Sequence, residues 1–157
     1  MINFFKKICL VTVLFSQLVF ADEPLELFWE DMVPPDYLVP DTPLNHDGSM
    51  TQMGLDAPVV ENLNGKLVKI PGFVVPLEGD NETTSEFLLV PYFGACIHVP
   101  PPPANQIVYV KFSESVPIDN LYDAVWVTGT LTTKGWEGDL ATVGYSLEGI
   151  SVTPYDG

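Results

Sequence analysis

Cys96 and His98 stand two residues apart in "GACIHVPPPPANQ", residues 94–106. A thiolate beside an imidazole is a ligand pair that zinc and copper both accept. In an extended segment residues two apart point to the same side, so the pair forms a two-pronged claw if the backbone there is β. A zinc site needs more than two protein ligands. His46, the only other histidine, is the first candidate for the third position, with Asp47, Glu78 and Asp80 as carboxylate alternatives. Met50 and Met53, near His46, would suit Cu(I), so zinc is the first expectation and copper the second. The same methionines also make good core filler.

Two other uses of Cys96 stay open: a buried inert thiol and a reactive one. Nucleophilic catalysis needs a base within about 2.6–3.2 Å and a third group to orient it. Neighbours two apart on a strand splay beyond that reach, so no catalytic residue is assigned. The prolines Pro100, Pro101, Pro102 and Pro103 predict a stiff polyproline II rod of roughly 12 Å at 3.1 Å per residue. Such a rod serves either as a lip that holds ligand side chains in place or as a docking ridge for an aromatic-lined groove on a partner. Asn105 and Gln106 follow it, and their amides are expected to tie the loop to the body of the protein. The acidic stretch "EGDNETTSE" lacks the spacing and central glycine of an EF-hand loop and reads as a solvated turn.

Residues 1–21 read as a cleaved export signal: Lys6 and Lys7 precede an apolar stretch ending in "LVFA". Cys9 leaves with that segment, so Cys96 remains without a partner cysteine in an oxidising compartment. The expected location is the periplasm, with no stable membrane insertion after cleavage. The chain carries 21 acidic residues against six lysines and no arginine, a formal net charge of −15. That field repels phosphate backbones and anionic headgroups and favours cations and basic partners, which excludes nucleic acid and membrane-surface roles.

The elements that must position the Cys-His pair follow from residue texture. Six prolines between 22 and 64 deny regular structure to an N-terminal extension. Its Leu27, Trp29 and Met32 are too apolar for a solvated tail, so it is expected to pack on the body, with a short helix or turn at "LELFWEDMVP". Residues 65–157 are β-rich. Strands are predicted at "KLVKIPGFVVPLE", bent at its Pro-Gly, then at "EFLLVPYFG", "QIVYVKF", "AVWVTGTLTT" and "ATVGYSLEGISVTPY". In "QIVYVKF", Ile107, Tyr109 and Lys111 share one face and Val108, Val110 and Phe112 the other. "VPIDNLYDA" is a candidate helical turn at a barrel mouth. Five such strands predict an all-β fold, a small OB-like Greek-key barrel, with a sandwich or meander as the alternative.

"LNGKLVKIPGFVVPLE", "FLLVPYFGACIHVPPPPANQIVYV" and "VWVTGTL" resemble a family of exported bacterial proteins and lipoproteins designated a domain of unknown function. The most specific part of the likeness is the run Cys96, His98, Pro100–Pro103, Asn105 and Gln106. Members of that family are often encoded beside ABC-transporter components controlled by zinc limitation. The resemblance therefore implies a periplasmic accessory role in transition-metal handling, with a transporter component or a periplasmic binding protein as partner. This chain departs from the lipoprotein members in lacking a well-placed lipobox cysteine. The leading expectation is zinc binding through Cys96, His98 and His46 in support of transport. The alternatives are a metal-free interaction module docking through the proline ridge, and a thiol enzyme using Cys96.

Overall fold

A Pro-Gly pair in the first long strand lets one segment belong to two halves of a barrel. In this computed structural model, whose described residues are 23–38, 51–79, 82–96, 99–118 and 123–156, strand β2 runs over Leu67–Gly79. It follows a two-residue strand, β1 (Leu25–Glu26), which pairs with it in parallel. Up to Gly72, opposite Val125, β2 pairs antiparallel with β5 (Val125–Thr132). From Phe73, opposite Val90, it pairs with β3 (Thr83–Val90). The switch needs glycine, because a Cβ on Gly72 would lie 2.7 Å from the Val90 carbonyl oxygen.

Strand β4 (Val108–Pro117) pairs antiparallel with β3 and parallel with β8 (Tyr145–Pro154). Strand β8 in turn pairs antiparallel with β5, which closes the sheet. The ring β2-β3-β4-β8-β5 is the five-stranded Greek-key barrel expected from the sequence, and the fold is all-β. The period-2 reading of "QIVYVKF" holds: Val108, Val110 and Phe112 join the barrel core with Phe87 and Leu89, and Tyr109 packs outside it.

Strand β3 begins at Thr83, inside the expected turn "EGDNETTSE", and β4 runs on to Pro117; two further boundaries move for local reasons. The β3 ladder ends at Val90, since Pro91 has no N–H to donate, so "PYFG" is loop rather than strand. The predicted fifth strand divides at Gly144. Its first part is β7 (Thr142–Val143), which pairs with β6 (Trp136–Glu137) in a small separate hairpin. Residues 119–122 of the candidate turn in "VPIDNLYDA" lie outside the described residues, and its first two residues, Val116 and Pro117, belong to β4.

Among its described residues the N-terminal extension has little regular structure: β1 and two 3-10 turns, Trp29–Met32 and Glu61–Leu63. The first is the short turn expected at "LELFWEDMVP", where the Asp31 carboxylate accepts from the Phe28 N–H at 3.0 Å. Leu27, Met32 and Leu63 are buried in the barrel core. Tyr145, itself fully buried, donates its hydroxyl proton to the Met32 carbonyl at 2.8 Å and accepts from the Val60 N–H at 2.6 Å. One side chain thereby satisfies two backbone groups, one buried and one half-buried.

Candidate functional site

The outside of β2, β3 and β4 carries a second apolar layer built from Val75, Leu88, Val90 and Ile107. It is roofed by Ala141 and Val143 of the hairpin region and by Ala95 and Cys96 of the loop after β3. Trp136 of β6 stacks on Tyr109 of β4 with ring centroids 4.7 Å apart and planes 4° from parallel. The chain thus covers the middle of this face with its own hairpin and leaves two ends open.

One end is the loop from Pro91 to Ile107, which contains the Cys-His motif. Cys96 is 6 % exposed and sits within the apolar layer, and burial pushes its thiol up to about 11. Its backbone is left-handed, φ 65°, a conformation that costs an L-residue other than glycine about 1–2 kcal/mol. The turn that holds it closes through the Val99 N–H to the Gly94 carbonyl at 3.2 Å. His98 and His46, the other two expected metal ligands, lie outside the described residues, as do Asp47, Asp80 and Met50. Glu78 is exposed at the far end of the face, and Met53 is 38 % exposed rather than core filler. Among the described residues no three His, Cys, Asp or Glu side chains gather as a metal-binding group.

The proline run is placed differently from the expected docking ridge. Pro101, Pro102 and Pro103 are buried and Pro100 is half-buried. The reason is the segment before β2, which packs over them. Gln52 donates from Nε2 to the Pro102 and Thr142 carbonyls at 2.9 and 2.7 Å and accepts from the Thr142 N–H at 2.8 Å. The Ala104 N–H donates to the Gly54 carbonyl at 3.0 Å. The expected tying role of the two amides is seen: Asn105 donates to the Pro58 carbonyl at 2.9 Å and Gln106 to the Trp29 carbonyl at 2.8 Å. Asn105 is fully buried, and its Oδ1 has no hydrogen-bond partner among the described residues.

Exposed at this end are the last two aromatic residues of the predicted strand "EFLLVPYFG". Tyr92 is 41 % and Phe93 51 % exposed, with Val99 beside the turn at 38 %. Phe93 meets Phe73 edge-on at 6.1 Å, which braces the tip on β2. The available signal was Pro91, which ends the ladder just before an aromatic pair and Gly94.

The other open end is a groove of about 520 Å³ between the β2–β3 end and the hairpin, walled by Pro76, Leu77, Trp136 and Leu140. Glu86 enters it, accepting from the Tyr109 hydroxyl at 2.7 Å and pairing with Lys111. The Lys111 ammonium and then the Tyr109 hydroxyl hold its carboxyl below the usual range. Burial, then the Glu86 contact, pushes Tyr109 up to about 12.

Residues 29–154 match the family model described as a protein of unknown function, DUF3299. A crystal structure of a DUF3299 family protein from Pseudomonas aeruginosa PAO1 is similar at 42% sequence identity and a TM-score of 0.77, covering 86% of this chain and 98% of that one. Among curated proteins no relative matches.

Proposed function

The chain belongs to the DUF3299 family, and we propose that it is an exported recognition module, working in the periplasm by docking a partner protein rather than by catalysis. The observation that carries this reading is the loop after β3, which buries its cysteine in an apolar shell while presenting Tyr92, Phe93 and Val99 to solvent. Large exposed aromatics braced on a rigid strand are the usual anchors of protein interfaces. A thiol raised to about 11 is protonated at neutral pH and is a poor nucleophile, which argues against the enzyme alternative. The partner we propose is a transport component, either of the ABC type or a periplasmic binding protein. That choice rests on the sequence resemblance and on the acidic charge, not on the fold. The test is the size of the native complex in cell extracts. A Tyr92→Ser/Phe93→Ser variant that stays folded should run at the size of the free chain, whereas a complex of unchanged size would overturn docking through this loop.

The metal reading has an observation of its own. Cys96 is held in a strained left-handed backbone two residues from His98, and such strain concentrates at functional sites. In this second reading Cys96, His98 and His46 would take zinc, or copper less readily. Stoichiometric zinc bound by the reduced protein at micromolar affinity or tighter, and lost in a folded Cys96→Ala/His98→Ala variant, supports it. Equal zinc uptake by both proteins counts against it.

A further inference from the structure

The acidic groove at the opposite end of the outer face is the part of the surface that the loop reading leaves unused. We propose that it binds a lysine- or arginine-bearing segment of a partner protein, laying the cationic side chain along Trp136 with its head between Glu78 and Asp139.

The chain already builds this arrangement once for itself. Lys69 Nζ stands 4.1 Å from the Trp126 ring centroid and 3.3 Å from Glu26 Oε1, so a lysine is held between an indole face and a carboxylate. At the groove an indole and carboxylates meet again without a lysine, here with one indole face already stacked on Tyr109 and Gly138 packed against the ring. Trp136 forms one wall, and Glu78 and Asp139, both exposed, have no ion-pair partner among the described residues. Glu78 and Asp139 both line the groove, together with Glu86. Lys111 is committed to Glu86, leaving the groove with more negative than positive charge.

Charge complementarity sets the class of occupant. A chain with 21 acidic residues, six lysines and no arginine draws cations and repels phosphates. The apolar wall narrows the class to a peptide. Leu140 is 42 % exposed beside Trp136, and Pro76 and Leu77 line the other side. Such surfaces bury the aliphatic stem of lysine or arginine and a neighbouring apolar residue, while the carboxylates take the head. A small polyamine would use the charges and leave these walls wet.

This inference deepens the recognition reading by naming the partner's chemistry, and it fails or stands separately from the loop. The probe is an acetylated hexapeptide holding two lysines around a leucine, titrated calorimetrically into the purified full chain. Saturable binding is expected, weakened at least fivefold both by Glu78→Gln/Asp139→Asn and by acetylating the peptide's lysines. Tyr92→Ser/Phe93→Ser should leave peptide affinity unchanged. The groove assignment is overturned if the carboxylate variant or the acetylated peptide binds as well as the original pair, if spermidine competes as tightly as the peptide, or if no saturable binding occurs. None of those results touches the loop, whose own test is the size of the native complex.

Discussion

Trp136 lies flat on Tyr109, 4.7 Å between ring centroids, and this stack helps fasten the β6–β7 hairpin onto the outer wall of the barrel, beside the Gln52–Thr142 hydrogen bonds and the burial of Val143. The hairpin in turn supplies Ala141 and Val143 to the roof over the layer that contains Cys96. Stacked aromatic pairs contribute about 0.5–1.5 kcal/mol beyond the area they bury. Trp136→Ala is therefore expected to cost about 2 kcal/mol, less than the roughly 3–5 kcal/mol of a fully buried aromatic. Urea unfolding measures the cost. Alkylation of Cys96 in the folded protein should accelerate in the same variant. An unchanged alkylation rate would mean that the hairpin does not guard the thiol.

The hydroxyl of Tyr145 joins the extension to the barrel through Met32 and Val60. Removing it leaves a carbonyl and an N–H without that partner, at a cost of about 1–3 kcal/mol for buried groups. Tyr145→Phe should lower stability by that amount and open the segment around Met32 to protease before the barrel unfolds. Cleavage that begins inside the barrel strands would contradict the assignment.

Cys96 gives a pH signature with a definite sign. Its folded thiol, near 11, holds its proton more tightly than the ordinary thiol at 9.0. Whatever stability this contributes is complete below the ordinary value and is lost as pH rises through the folded one. Cys96→Ala lacks that titration. The stability gap between wild type and Cys96→Ala should narrow from pH 9 to pH 11. A constant gap across that window would mean that the thiol is not buried as described.

The barrel was legible because its signals are local. β-branched runs give the strands, the Pro-Gly at Pro71 and Gly72 marks the strand switch, and the alternation from Ile107 to Phe112 gives the two faces. The hairpin was not legible, since β6 and β7 are two residues each and their reason for existing is tertiary, a ring laid on Tyr109. The prolines gave a stiff segment without saying which side faced water. Their burial comes from the segment before β2, in which Gln52, next to Met53, reaches both Pro102 and Thr142. Of the candidate site, the burial of Cys96 comes from a tertiary layer in which the hairpin and the loop after β3 cover the outer face of β2, β3 and β4.

The most direct test of the recognition reading is site-specific photo-crosslinking in cells expressing the full chain. A photoreactive residue replaces Phe93 at the loop tip or Ile150 on β8, which is 62 % exposed. The account predicts a discrete adduct with one partner protein from position 93 and none from position 150. The same products from both positions, or no adduct from position 93 in protein that is exported and folded, would contradict it.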